Sequence, residues 1–560
     1  MKAILQKLLL NLLVPSLVGL SSCTKDFLQE ENKTGITADV LYNTPEGMEN
    51  LINSCYAPTR LWYGKMIGYL LTEAGTDEML RAGWGGGYSP YHEYTSSLQG
   101  SDPGLIHVWG GFYKGINACN AAIGRLGGSA LAANVKTLRE GEARFLRAFY
   151  YYHLVETFGA VPIRTKETES PEMTAERAPA EEVYKLIFSD LEIALKNLAG
   201  VVTPQGGRVT QPAVEAFLAR LYLTRKMYPQ ALDMAKRVIN NYDFKLQPDY
   251  KALWNMANSN GNTNKESVWF VNYTANNELN DRPRGSDLGF FYLWEGGHNA
   301  HAFFTMMNFG LPGFTWDLEN GRPLNQFLPS RYLLDLYDET KDARYAGTFR
   351  TAWWANDAAT LPAGVKLGDT IFVASKNVVP ESARQAKKYT IMDRNDVYDA
   401  AGVPKGDRSR YVQLNKFADP TRPDKGVHES KRDAFVFRLS EMYLIAAEAS
   451  MELSDKGAAA DFINVVRSRA ALPGKEQDMR IAAAAVNLDF ILDERARELA
   501  GEQVRWFDLK RTGKMKERLA KGNPEASANF KDFHLVRPIP QVEIDVMQNK
   551  EAFKQNQGYN

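Results

Sequence analysis

The sequence is short of the residues that usually carry chemistry. Three cysteines in 560 residues exclude a disulfide-rich framework. Seven histidines are scattered as His92, His107, His153, His298, His301, His428 and His534. Only His298 and His301 are close, and no His-Glu-x-x-His or Cys–His cluster occurs, so no zinc site is expected. Neither sign of charge prevails, with 67 Lys+Arg against 67 Asp+Glu, so nucleic acid is not an expected partner. There is no Gly-x-Ser-x-Gly elbow, no P-loop and no Asp-x-Asp-x-Asp-Gly calcium loop. GWGGG at 83–87 has neither the glycine spacing nor the strand–helix setting of a dinucleotide fingerprint. No cofactor is expected. After the first twenty residues no apolar run is long enough to cross a bilayer.

What is present begins at the N-terminus. MKAILQKLLLNLLVPSLVGLSSC carries Lys2 and Lys7, then an apolar run to Leu20, then small residues. The pattern predicts a secretory signal peptide over 1–22. LSSC resembles a bacterial lipobox, in which Cys23 is acylated with palmitate-type chains and becomes the first mature residue. Two or more acyl chains anchor a protein stably to a membrane. The other cysteines, Cys55 and Cys119, are open to two readings, one disulfide or two buried thiols.

Helical periodicity dominates two stretches, about 105–241 and 435–515. GEARFLRAFYYYHLVETFG (141–159) repeats apolar residues at helical spacing and stops at Gly159. QPAVEAFLARLYLTRKMYPQALDMAKRVINN (211–241) reads as two helices bent at Tyr228–Pro229. Its small residues Ala216 and Ala219 allow close packing, as in a tetratricopeptide unit. Between about 242 and 434, and also over about 50–104, glycine, proline, asparagine and aromatics replace that period. Long irregular segments of this kind are often functional. The expected fold is mostly α, a tetratricopeptide-like helical-repeat scaffold with a large loop-rich insertion carrying short strands. It forms a single domain over 23–560.

Charged residues recur on the late helices. Glu494 and Glu498 are i,i+4, and Arg505, Asp508 and Arg511 are spaced by three. Glu441 and Glu448 share one helix face. They are read as a structural ion-pair network, not as acid–base catalysts.

Four stretches together resemble one family. GEARFLRAFYYYHLVETFGAVPI (141–163), FRLSEMYLIAAEA (437–449), ILDERARELAGEQVRWFDLKRTG (491–513) and LVRPIPQVEIDVMQNKEAFKQNQGYN (535–560) are similar, in order and spacing, to the SusD/RagB outer-membrane lipoproteins of Bacteroidetes. The resemblance implies a lipid-anchored protein on the outer surface of the outer membrane. Such a protein captures oligosaccharide or polysaccharide for a SusC-like TonB-dependent transporter and is not an enzyme. The alternatives are the same fold binding peptide or another nutrient and, more distantly, a glycoside hydrolase.

A glycan site needs exposed rings to stack on sugar C–H faces, with polar side chains beside them. Three loop clusters fit. One offers Trp84, Tyr88 and Tyr91 with Asp77, Glu78 and Arg81. A second offers Tyr292 and Trp294 with Asp287 and Asn299. A third offers Trp316 with Asp317 and Asn320. The pair Trp353–Trp354, with Asn356 and Asp357, adds a fourth, from which Trp354 is taken as the ligand-facing ring. Glu295, Asp317 and Glu319 are the carboxylates a hydrolase reading would use. Trp109, Trp254, Trp269 and Trp506 are expected in the core. Trp84 stands out because its glycine neighbours have no side chains to cover it, which suggests a flexible mount for an exposed ring.

Overall fold

A computed structural model describes residues 37–276, 279–280 and 297–559. The signal-peptide and Cys23 assignments, and the candidates Asp287, Tyr292 and Trp294, lie outside the described residues.

Helices form where the periodicity is strongest. Helix α1 is Pro45–Tyr56 and α2 is Met66–Thr72. The scaffold proper runs through α3 (Pro103–Arg125), α4 (Ala133–Phe158), α5 (Ala180–Asn197), α6 (Gln211–Thr224) and α7 (Tyr228–Asn240). It resumes with α8 (Leu439–Glu452), α9 (Lys456–Arg469), α10 (Leu488–Leu499) and α11 (Arg505–Arg511). Asp102 caps α3 by accepting from the N–H groups of Gly104 and Leu105, and Pro103 supplies the first-turn φ. Gly159, at φ +75°, ends α4 in a conformation that L side chains rarely adopt.

Each helix from α3 to α9 packs on the next, as stacked helical repeats do. Helix α7 packs on α8 across the long 241–438 excursion. Ala213, Ala216 and Ala219 on α6 and Ala231 and Ala235 on α7 are fully buried, so the two backbones approach closely. Cys55 and Cys119 are buried free thiols, which selects that reading over the disulfide.

The excursion consists of short strands and turns. Strand β2 (Ser267–Val271) pairs antiparallel with β9 (Ala434–Arg438), which leads directly into α8. The other described strands are β1 (Met79–Arg81), β3 (Phe327–Pro329), β4 (Phe349–Arg350), β5 (Ala352–Trp354), β6 (Thr370–Ala374), β7 (Thr390–Met392) and β8 (Gln413–Leu414). They pair β1–β3, β4–β8 and β5–β6 antiparallel, and β6–β7 parallel. Because β1 pairs with β3, the segment around Trp84 is fixed against the excursion from outside it.

Buried arginines lock the excursion to the scaffold. Arg344 bonds Asp342 (2.8 Å), Glu494 (2.8 Å) and Glu498 (3.2 Å). Arg438 reaches Glu266, Glu498 and Glu502, and Arg469 reaches Glu266 and Glu498. Glu441 takes Arg220, Glu448 takes Arg511, and Asp508 takes Arg495 and Arg511. The acidic and basic periodicity of the late helices is thus structural. Burial alone would raise the Glu498 carboxyl, but Arg469, Arg438 and Arg344 hold it down at about 2.

Candidate functional site

The GWGGG stretch is a short 3-10 helix, Gly83–Tyr88, and its glycines are not a flexible mount. The backbone is fixed by three long-range bonds. Ala82 N–H donates to Gln326 O, Gly83 N–H to Arg408 O and Trp84 N–H to Asn325 O, each at 3.1 Å. A Cβ on Gly83 would stand 2.5 Å from Asp407 O and 2.9 Å from Asn325 Nδ2. A Cβ on Gly85 would stand 2.9 Å from Arg81 Cγ and Gln326 O. Two of the glycines are therefore spacers for close backbone approach, while Gly86 faces open space.

This anchoring leaves the Trp84 ring 53% exposed. It does have a neighbour. Phe309, 41% exposed, places its ring centroid 6.1 Å from that of Trp84 at 58°. Two large apolar rings side by side on the surface form a contiguous patch of the kind that marks recognition. Sequence reasoning missed Phe309, although NFGLPG carries the same signal as GWGGG, a large ring among residues that cannot cover it.

The rest of the first cluster turns inward. Tyr88 and Tyr91 are buried, and the Tyr91 hydroxyl donates to Asp102, the cap of α3. Asp77 is fully buried and takes both Arg505 Nε (2.7 Å) and Nη2 (2.6 Å), with Glu78 3.0 Å from the same guanidinium. These three candidates, Asp77, Tyr88 and Tyr91, are corrected to packing residues. A ring or carboxylate next to an exposed Trp still follows the core if the chain turns under it. Arg81 is partly exposed and pairs with Glu93. Asn299, offered with the second cluster, is fully buried, and its N–H donates to Gly64 O.

The third and fourth clusters meet. Gly313 O accepts from the N–H groups of Asn356 (2.9 Å) and Asp357 (3.1 Å). Asn356 Nδ2 donates to Thr315 O and Asp317 Oδ2, each at 2.7 Å. Asp317 Oδ1 accepts from Asn320 N–H (2.7 Å) and Nδ2 (2.8 Å). Trp316 is half-buried, with Arg322 and Lys425 at 5.6 and 5.3 Å from its ring centroid. On β5 the side chains alternate, so Trp353 is fully buried against Phe372 and Trp354 is 47% exposed. Trp109, Trp254, Trp269 and Trp506 are in the core.

One loop joins the two sets. Asn308, next to Phe309, donates through Nδ2 to Asn320 O (3.3 Å) and Gly321 O (3.4 Å) in the Trp316 loop. Hydrogen bonds thus link in series the loops that carry Phe309, Trp316 and Trp354, while Trp84 meets Phe309 directly. Among the described residues, no group of three or more His, Cys, Asp or Glu side chains is placed to hold a metal ion. Elsewhere a cleft of about 630 Å³ opens among Asn53, Tyr56, Gln205, Arg208 and Asn272. Its Arg208 is occupied by Glu49, Glu142 and Asn53.

Comparison with known proteins agrees with this architecture. Residues 265–559 match the SusD family, and residues 26–223 match a SusD-like family described as starch-binding and associating with the outer membrane. The SusD-like protein P2 of Formosa agariphila is 27% identical, over 99% of each chain. A laminarin-binding SusD-like protein superposes with a TM-score of 0.67 at 24% identity, covering 92% of this chain and 100% of that one. Surface glycan-binding protein A from Bacteroides thetaiotaomicron, in complex with laminarihexaose, also superposes at 0.67, with 21% identity, 92% of this chain and 99% of that one. The stacked-helix scaffold, the irregular excursion it carries and the match over more than half the chain place this protein in the SusD family.

Proposed function

We propose that this protein is a lipid-anchored lipoprotein of the outer cell surface that captures oligosaccharide or polysaccharide and hands it to a SusC-like TonB-dependent transporter without cleaving it. The observation that carries the reading is the exposed Trp84–Phe309 pair, held by main-chain bonds that leave its rings free. Pyranose C–H faces stack on such rings, and rigid mounting avoids the entropy of ordering them on binding. Trp316, Trp354, Asp317 and Arg81 are proposed as further ligand contacts. The similar proteins whose names include laminarin and laminarihexaose support glycan as the ligand class. The signal sequence and Cys23 support surface anchoring.

The non-catalytic reading is supported by the carboxylates that follow Trp316. Asp317 is taken up by Asn320 and Asn356, and Glu319 pairs with Arg350 at 2.9 Å. Neither is presented as a free acid or nucleophile. Affinity electrophoresis against a polysaccharide panel, with a reducing-end assay on the same samples, tests the proposal. Retardation by a glycan without new reducing ends is expected. Release of reducing ends by the pure protein overturns the non-catalytic reading, and binding of peptides alone overturns the glycan reading.

A further inference from the structure

The acids and the cations of the ring-bearing face are not equally engaged. Asp317 and Glu319 are occupied as described. Asp407 accepts from the Ser409 N–H (3.1 Å) and hydroxyl (2.8 Å), and Asp424 accepts from the Gly426 N–H (2.7 Å). Each carboxylate is thus turned onto its own loop, onto Asn356 or onto Arg350. The cations Arg410 and Lys425 have no carboxylate within ion-pair reach among the described residues. Arg410 Nε is sealed from solvent with no acceptor. Its Nη2 lies 4.0 Å from the position of a Cβ on Gly310, the residue after Phe309. Main-chain bonds fix this placement, since Met307 N–H donates to Ser409 O (2.8 Å) and Gly83 N–H to Arg408 O (3.1 Å). Lys425 is exposed, 5.3 Å from the Trp316 ring centroid. By contrast, Arg344, Arg438, Arg505 and Arg511 each meet a carboxylate.

A partly desolvated guanidinium without an acceptor is unfavourable unless something supplies one. Its planar fork suits the two oxygens of a carboxylate or sulfate. We infer, building on the reading that Trp84 and Phe309 receive a glycan, that this glycan is anionic, with Arg410 taking a carboxylate or sulfate group beside Phe309 and Lys425 taking a second beside Trp316. The rings supply stacking that any pyranose satisfies, and the two cations supply the discrimination.

The test uses the full chain with laminarin as neutral polymer, polygalacturonate as carboxylate polymer and carrageenan as sulfated polymer, by affinity electrophoresis and calorimetry. One of the two anionic polymers is expected to bind at least about tenfold more tightly than laminarin, the factor that 1.4 kcal/mol represents. Which one binds identifies the anionic group. Binding should weaken as salt rises, because the contact is ionic and partly exposed. Arg410→Gln should lose most of that preference, Arg410→Lys should keep part of it, and Lys425→Gln should lose less, all with unchanged melting temperature. Laminarin bound as tightly as the anionic polymers, with Trp84→Ala abolishing binding and Arg410→Gln leaving it unchanged, overturns the anionic inference and leaves the ring platform standing. Failure of all three polymers to bind, or binding indifferent to Trp84→Ala, overturns the platform and the inference together.

Discussion

Replacing Gly83 with alanine tests whether the Trp84 ring is held or merely tethered. The new methyl would stand 2.5 Å from Asp407 O and 2.9 Å from Asn325 Nδ2. Real Cβ atoms do not approach a carbonyl oxygen so closely, and the obstacle is backbone. The 3-10 turn must therefore lift away from the 407–408 segment by about an ångström to reach ordinary van der Waals separation. That movement breaks or stretches the Gly83 N–H to Arg408 O and Trp84 N–H to Asn325 O bonds. Two weakened main-chain bonds at about 1 kcal/mol each, with overpacking strain of about 1–3 kcal/mol, give a loss of about 3–5 kcal/mol. The ring moves with its backbone, so glycan affinity should fall at least tenfold. Gly86→Ala is the matched control, because its Cβ meets nothing within 4 Å. Chemical denaturation and calorimetric titration on both variants read the two effects. Gly83→Ala with wild-type stability and affinity would refute the claim that close approach positions the platform. Equal damage from Gly86→Ala would refute it as well, by showing that flexibility of the stretch is what matters.

Other outcomes follow from the same structure. Trp84→Ala should remove up to about 2–3 kcal/mol of glycan binding, since a half-exposed indole offers roughly 100 Å² at about 25 cal/mol/Å², while thermal scans shift by less than about 2 °C. Asp77→Ala should cost about 3–5 kcal/mol in denaturant unfolding, because it leaves Arg505 buried with one carboxylate fewer; a normal stability with lost binding would return Asp77 to the ligand site. Trp353→Ala should cost about 3–5 kcal/mol and Trp354→Ala less than about 0.5 kcal/mol, the buried and exposed rings of one strand. On acidification, Glu498 should contribute its stability fully above the unfolded glutamate value near 4.3 and lose it as pH falls towards about 2. A carboxyl depressed in the folded state gives this sign. The full contribution is about 3 kcal/mol, and a pH series of unfolding free energies with Glu498→Gln as comparison measures it.

Much of the scaffold was legible because helical packing writes a period into the chain. The 211–241 pair, bent at Tyr228–Pro229, formed as two helices with Ala216 and Ala219 buried between neighbours. The carboxylates of α10 met arginines, as their spacing suggested. The irregular face was less legible. Tyr88 and Tyr91 share a stretch with Trp84, yet they point into the core while Trp84 does not. Phe309 gave no sign of being Trp84's partner, because their contact depends on the 305–325 and 407–411 segments meeting Gly83–Gly85.

The sequence by itself determined the helical frame, the late ion-pair helices and the stretch in which an uncovered Trp would lie, since all three depend on residues near one another in the chain. Only the tertiary structure decided that the glycines around Trp84 are spacers and not a hinge. It also decided which rings face outward, and that Arg410 and Lys425 stand beside Phe309 and Trp316 with no acid within ion-pair reach among the described residues. Those properties depend on which distant backbone occupies the space next to each residue, and no local pattern encodes that.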